Sequence, residues 1–295
     1  MFNFDRHTTT GFGQPKESSG PEKNQCAMHN LEIIYIQPDL VWENPAANRE
    51  RFEKMVLSHP QKADLIVLPE TFTTGFPVDP APFAETEEGE TFLWMRRMAA
   101  QTGAVITGSF LMKTGRSFTN TLVWMRPDGT FEKYHKRHVF SMGGEHERIQ
   151  PGEKQLVVTL KGWKIRPMVC YDLRFPVWCK NRYDGRAFEY DLALFVANWP
   201  AVRAFPWNSL LTARAIENQA FVLGVNRVGR DGPGNRYSGH SKVVDAKGNV
   251  LSEAPENREA VMQVSLSGDD LMRFRRKFNV GRDWDRFKIL PAAER

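Results

Sequence analysis

The stretch TNTLVWMRPDGTFEKYHK (residues 119–136) decides the fold. Its first half, Thr119–Met125, is rich in β-branched and aromatic residues, and its second half, Phe131–Lys136, is again strand-like. Between them Pro127-Asp128-Gly129 supplies the residue types that close a tight turn. Two strands joined so closely must run antiparallel. Towards the N-terminus the chain reads differently. LEIIYIQ (31–37) is a short strand ended by Pro38. Asn44-Pro45 then opens a helix with proline in its first turn, and Ala46, Ala47, Phe52, Met55 and Val56 recur at helical spacing. DLIVLP (64–69) is a continuous apolar strand of the kind covered on both faces. Residues 90–102 form a second helix, stopped by Gly103, and the strand AVITGSFLM (104–112) follows.

Towards the C-terminus both patterns persist. LVVTL and WKIRPMVCY meet across Lys161-Gly162, a helix follows Cys170, and the strand LALFVAN (192–198) leads to a helix ending in ARAIENQ. FVLGVNR (221–227) is the next strand, a hairpin turns at residues 246–249, and AVMQVSL (260–266) is the last. Strands that alternate with helices yet also pair locally indicate an α/β protein with mixed sheets. The hairpins break the eightfold βα repeat of a barrel, so the expected architecture is a four-layer α-β-β-α sandwich. It spans residues 30–268, between an extension (1–29), poor in core-forming side chains and expected to be disordered, and a C-terminal arm (269–295).

Composition narrows the function. Hydrophobic residues make up 41% of the 295 and charged residues 25%, the balance of a soluble enzyme. No apolar run approaches the roughly 20 residues of a membrane span. The net charge of +5 invites a nucleic-acid reading. The basic residues are nevertheless scattered among acids, and the dense patch Arg273, Arg275, Arg276 and Lys277 reads as a solvated helix or arm. Three cysteines, Cys26, Cys170 and Cys179, make no disulfide framework, which fits a reducing cytoplasm.

Three residues stand where chemistry is done. Cys170 ends an apolar strand before the sharp turn Tyr171-Asp172-Leu173-Arg174-Phe175-Pro176, at a sheet rim where ligands bind and where unpaired backbone N–H groups can hold an oxyanion. A nucleophilic role requires its thiolate to be favoured by a nearby cation or helix start; the alternative is a small buried hydrophobe. Glu70 closes DLIVLP, where a carboxylate is poorly solvated. It is either a general base or a cap for the next segment. Lys136 ends its strand within Tyr134-His135-Lys136-Arg137-His138 and could equally be a surface lysine. His135, His138 and His146 raise a metal site, but no acid or thiol stands beside them at ligand spacing, and no metal is expected.

In this order, LPETFTTGF, YHKRHVF and MVCYDLRFPVW resemble the carbon–nitrogen hydrolase (nitrilase) superfamily. The resemblance runs from about Leu31 to Leu266 and continues in Gly144-Glu145-His146, ANWP, ARAIENQ, NRVGRDG and YSGHSKVVDAKGNV. CYDLRFP with ANWP and GVNRVG is most similar to the omega-amidase branch. The resemblance implies an α-β-β-α sandwich, a homodimer and a Glu-Lys-Cys set without cofactor. Cys170 would be the nucleophile, with Glu70 as general base and acid and Lys136 as the cation near the oxyanion. Glu145, with Glu147 as its rival, would be a second glutamate.

The implied reaction is hydrolysis of the terminal amide of a 2-oxo acid monoamide through a thioester. The alternatives within the family are a carbamoylase, a deaminated-peptide amidase or a nitrilase. The Tyr171 N–H would support Lys136 at the oxyanion, and Lys136 would also lower the thiol pKa. A substrate carboxylate calls for a guanidinium, with Arg203 the first candidate and Arg174 the second. Trp199 and Phe76 would wall the pocket or else belong to the core.

Overall fold

A computed structural model describes residues 28–77 and 79–290. The expectations for residues 1–27, Cys26 among them, lie outside the described residues.

Two six-stranded sheets stack face to face. The first contains β1 (Leu31–Gln37), β2 (Leu65–Val67), β3 (Val105–Thr114), β4 (Ser117–Met125), β5 (Phe131–His135) and β14 (Ala260–Leu266), in the order β14-β1-β2-β3-β4-β5. Its centre, β1-β2-β3, is parallel, and the edges are antiparallel. The second contains β6 (Val158–Leu160), β7 (Trp163–Val169), β8 (Leu192–Val196), β9 (Phe221–Val225), β12 (Lys242–Val244) and β13 (Val250–Glu253), in the order β13-β12-β9-β8-β7-β6, again parallel at the centre. A separate hairpin pairs β10 (Val228–Arg230) with β11 (Arg236–Ser238).

The strand alternation builds the layers. Ile34, Ile36, Ile66, Leu68, Ile106, Val123 and Met125 face outward from the first sheet. They bury Phe52 and Val56 of α1 (Pro45–Leu57) and Phe92, Met95 and Met98 of α2 (Glu90–Thr102). Their alternates Ile33, Tyr35, Leu65, Val67, Val105, Leu122 and Trp124 point inward and join Trp163, Ile165, Val196 and Val225 of the second sheet in the larger core. Trp207, Leu211 and Ala215 of α4 (Ala204–Asn218) cover that sheet's far face. This is the expected α-β-β-α sandwich with mixed sheets.

Two local expectations differ from what is found. The segment after Cys170 is a 3-10 turn (Cys170–Arg174) followed by the single-turn α3 (Pro176–Cys179), not a full helix. Pro176 disfavours helical backbone at the residue before it, and Phe175 is extended, with φ −108° and ψ 92°. The basic C-terminal patch is only partly solvated. In α5 (Gly268–Lys277), Arg275 is buried, pairs with Asp191 at 2.5 Å and donates to the Tyr190 and Gln219 carbonyls. It therefore anchors α5 to the second sheet.

Candidate active site

The site forms where strand ends of both sheets meet. Glu70 follows β2, Lys136 follows β5, Cys170 follows β7 and Asn198 follows β8. This is the carboxyl edge of the parallel strands, where backbone donors are free and ligands gather. The backbone is forced there: Thr71 has φ 39° and Cys170 has φ 45°. Left-handed backbone costs a non-glycine residue about 1–2 kcal/mol. At Cys170 it turns the chain sharply off the sheet.

The side chains converge. Lys136 Nζ donates to Glu70 Oε1 at 2.9 Å and to Glu145 Oε2 at 2.8 Å, and all three groups are buried. Glu70 is held on both oxygens: Asn120 Nδ2 donates to Oε1 at 2.8 Å and the Asn198 N–H to Oε2 at 2.7 Å. Asn198 Nδ2 also donates to the Glu70 carbonyl and to Thr71 Oγ1, each at 2.7 Å. Glu145 Oε2 receives the Phe140 N–H at 2.5 Å. Between the two glutamates suggested by sequence, Glu145 therefore meets Lys136, whereas Glu147 is exposed. Cys170, partly open to the cavity, has its Sγ 3.9 Å from the Asn198 carbonyl.

The charges act on one another. Burial opposes the Lys136 charge, but Glu145 and Glu70 outweigh it and raise the ammonium pKa above its ordinary value. Burial and then repulsion from Glu70 raise that of Glu145, against the pull of Lys136. At Cys170, burial and the Glu70 charge push the thiol well above the usual range, and Lys136 offsets this only in part. Lys136 lowers the thiol as expected, but desolvation and two anions outweigh this one shared cation, so the net direction is upward. Burial and the two carboxylates thus disfavour the thiolate in the free site.

A cavity of about 570 Å³ opens above these groups. Its lining includes each residue that the sequence suggested for catalysis or substrate binding: Glu70, Phe76, Lys136, Glu145, Cys170, Tyr171, Arg174, Trp199 and Arg203. Lys136 Nζ lies 5.3 Å from the centre of the Phe76 ring. Arg174 lies over Trp199 at 4.9 Å and Arg203 over Phe140 at 5.4 Å. Trp199 Nε1 donates to the Arg203 carbonyl at 2.7 Å, fixing the turn that carries this arginine. Among the described residues neither guanidinium has an acidic partner. By contrast, Arg148 pairs with Asp79 at 3.1 Å, and Asp231 accepts the Tyr237 hydroxyl at 2.9 Å.

The three histidines considered for metal do not converge. His135 Nδ1 bonds Thr121 Oγ1, His138 Nδ1 bonds Asp172, and His146 is exposed. Sequence reading passed over Asn120, Asn198, Phe140 and Tyr237. Asn120 was visible only as a polar residue inside an apolar strand. Asn198 stood in ANWP at a strand's end, the position that had singled out Glu70 and Cys170.

These features define a carbon–nitrogen hydrolase: the family model for carbon-nitrogen hydrolases matches residues 29–276, and the chain belongs to that family. Its relatives narrow the class. The chain is 44% identical to the omega-amidase YafV of Yersinia enterocolitica over 263 residues, covering 89% of this chain and 100% of the relative. It is 33% identical over 224 residues to the 2-oxoglutaramate amidase of Bacillus subtilis, covering 75% of this chain and 85% of the relative. Among solved structures, XC1258 from Xanthomonas campestris, a CN-hydrolase superfamily protein with an arsenic adduct in its active site, superposes with a TM-score of 0.86. The two are 43% identical, over 89% of this chain and 100% of that one.

Proposed function

We propose that the protein is an omega-amidase that hydrolyses the terminal amide of a small 2-oxo acid monoamide, 2-oxoglutaramate or 2-oxosuccinamate, to the dicarboxylic acid and ammonia. The activity of its relatives supports this. So does one observation on the cavity itself: an acidic floor with a shared lysine lies below two guanidiniums, Arg174 and Arg203, that have no acidic partner among the described residues. A substrate with a neutral amide at one end and a carboxylate at the other fits this polarity in one orientation only. Arg203 takes the carboxylate with bidentate geometry, Arg174 assists, and the amide carbon meets Cys170. Trp199 and Phe76 wall the cavity between.

In the proposed mechanism Glu70 accepts the thiol proton as Sγ bonds to the amide carbon, since burial and the Glu70 charge disfavour a free thiolate there. The carbonyl electrons move onto oxygen. An ammonium has three hydrogens, and two of those on Lys136 are committed to Glu70 and Glu145, which leaves one for this oxyanion beside the Tyr171 N–H. Glu70 then protonates the departing nitrogen, ammonia leaves and a thioester remains. Glu70 next takes a proton from water, whose oxygen attacks the thioester, and the proton returns to Cys170. Glu145 holds Lys136 in place. The product's new carboxylate lies against the acidic floor, which favours its release.

The cytoplasm supplies the reducing conditions that a thiol nucleophile needs. A homodimer is supported by the exposed Met142 and Val202 on the cavity rim, with Phe205 close by in sequence; a monomer in sedimentation velocity would remove that part.

The test is ammonia release from 2-oxoglutaramate, 2-oxosuccinamate, N-carbamoyl amines, a deaminated peptide amide and simple nitriles. Turnover of the first two is expected. No turnover of either, with turnover of another class, would overturn the reading.

A further inference from the structure

A buried carboxylate outside the Glu70–Lys136–Cys170 set ties the site's two halves together. Asp172 is fully buried, two residues past Cys170. Its Oδ1 accepts the His138 backbone N–H at 2.9 Å and His138 Nδ1 at 2.8 Å. Its Oδ2 accepts the Tyr134 hydroxyl at 2.7 Å and the Val169 N–H at 3.0 Å. Four donors fill the acceptor capacity of one carboxylate. His138 Nδ1 faces an oxygen that only accepts, so that nitrogen carries the hydrogen.

The origin of the donors is informative. Tyr134, within β5 of the first sheet, stands two residues before Lys136, and His138, on the chain that leaves β5, two residues after it. Val169 ends β7 of the second sheet and immediately precedes Cys170. The clamp is reinforced from both sides. Trp178 Nε1 donates to Tyr134 Oη at 2.9 Å, and the His138 ring stacks on Phe175 with centres 3.6 Å apart. Arg214 Nη2 donates to the Leu173 carbonyl at 2.8 Å, so the same turn is also held from α4.

We infer that Asp172, with His138 as its principal donor, is a positioning residue for the reaction: it fixes the strand end carrying Lys136 against the left-handed turn carrying Cys170, so that thiol and ammonium address one carbonyl. Neither Asp172 nor His138 lines the cavity, and their effect passes through the backbone. The consequence for turnover rests on the amidase reading above; the consequence for the geometry of Cys170 does not.

Asp172→Asn is the sharpest perturbation because it keeps the shape. Whichever way the amide turns, its NH2 faces a backbone N–H, that of His138 or that of Val169, and the clamp opens on one side. A displacement on the scale of 1 Å at reacting groups costs about a hundredfold in rate. The expected result is a fall of that order in kcat, with KM within about threefold of wild type. A parallel fall is expected in the rate at which iodoacetamide alkylates Cys170, read by peptide mass spectrometry. His138→Ala should lower both rates about tenfold, the worth of one hydrogen bond. His138→Asn keeps a side-chain N–H and should restore most of the loss, a rescue that a role in packing alone does not predict.

Folded Asp172→Asn with wild-type kcat and alkylation would overturn the inference. If that variant does not fold, the His138 pair decides, and equal wild-type rates in both would overturn it. If the wild type releases no ammonia from 2-oxo amides, the substrate reading fails while alkylation still judges the clamp.

Discussion

Replacing Glu70 by glutamine tests the proposed chemistry most directly, because the side chain keeps its volume and loses only its charge and its basicity. Both Glu70 oxygens accept: Oε1 from Lys136 and Asn120, Oε2 from the Asn198 N–H. Glutamine has one acceptor and one donor end, so one of these contacts becomes donor against donor. The mismatch costs about 1–3 kcal/mol of stability, which a domain of this size tolerates as a lowered melting temperature. The catalytic loss is separate and larger. Burial and the Glu70 charge push the Cys170 thiol well above its usual range, and the proposed mechanism passes its proton to Glu70. General base catalysis contributes roughly 10²–10⁴ per step, or about 2.7–5.5 kcal/mol of barrier. In the proposed mechanism Glu70 serves both acylation and thioester hydrolysis, so kcat for 2-oxoglutaramate should fall by about 10³ or more. The assay is steady-state ammonia release beside a circular-dichroism melt. A folded Glu70→Gln within tenfold of wild type would refute the assignment and move the base to Glu145.

Three other perturbations read separate parts of the site. Lys136→Met strands two buried carboxylates and should cost about 3–5 kcal/mol near pH 8, with activity lost. An acid whose folded-state pKa lies above its unfolded value, as for Glu145, loses stability above the folded value and recovers it as pH falls towards the unfolded one. Chemical denaturation should therefore show that deficit shrinking towards about pH 5, and a pH-independent deficit would contradict the electrostatic account. Arg203→Ala removes a charge-assisted contact worth about 1.5–3 kcal/mol and should lower kcat/KM for 2-oxoglutaramate by about 10- to 150-fold. Activity on a neutral amide such as hexanamide should change little; equal losses on both would deny the carboxylate role. Iodoacetamide alkylation of Cys170 should keep rising with pH past the ordinary thiol range, since the thiolate is the deprotonated form and its pKa is raised. A plateau near neutrality would mean a resting thiolate.

Much of the fold was legible because its elements carry their own boundaries. Pro38 ends β1, the Asn44 side chain caps α1 by accepting the Ala47 N–H, and Gly103 takes the left-handed position after α2 with φ 69°. The hairpin at Pro127-Asp128-Gly129 appears as read, pairing Met125 with Phe131. The short turn after Cys170 was missed because a single residue, Pro176, overrides the periodicity around it. The fate of Arg275 was missed because a buried ion pair depends on an acid 84 residues away, Asp191. Asn198 was missed for the same reason, since it contacts Glu70 across 128 residues. Residues whose function follows from strand ends can be read locally, whereas those that hold them in place depend on how the sheets stack.

Stability alone gives no reason for burying two glutamates on one lysine. Taking such ions out of water is expensive, and apolar residues of similar volume commonly serve a core as well or better. The core elsewhere uses that solution, with Phe72, Phe110 and Leu122 fully buried. The chain instead adds Asn120, Asn198 and the Phe140 N–H to satisfy the carboxylates. It also holds Cys170 in a left-handed conformation beside them. Each device costs stability or requires a partner from another strand, and all of them meet at one cavity floor. A buried charged cluster held by these donors, even with Asn120 Oδ1 and Asn198 Oδ1 left unpartnered among the described residues, is better explained by what it does to a bound molecule than by stability. In the proposed mechanism a shared ammonium that cannot neutralise both carboxylates leaves Glu70 free to take a proton from sulfur.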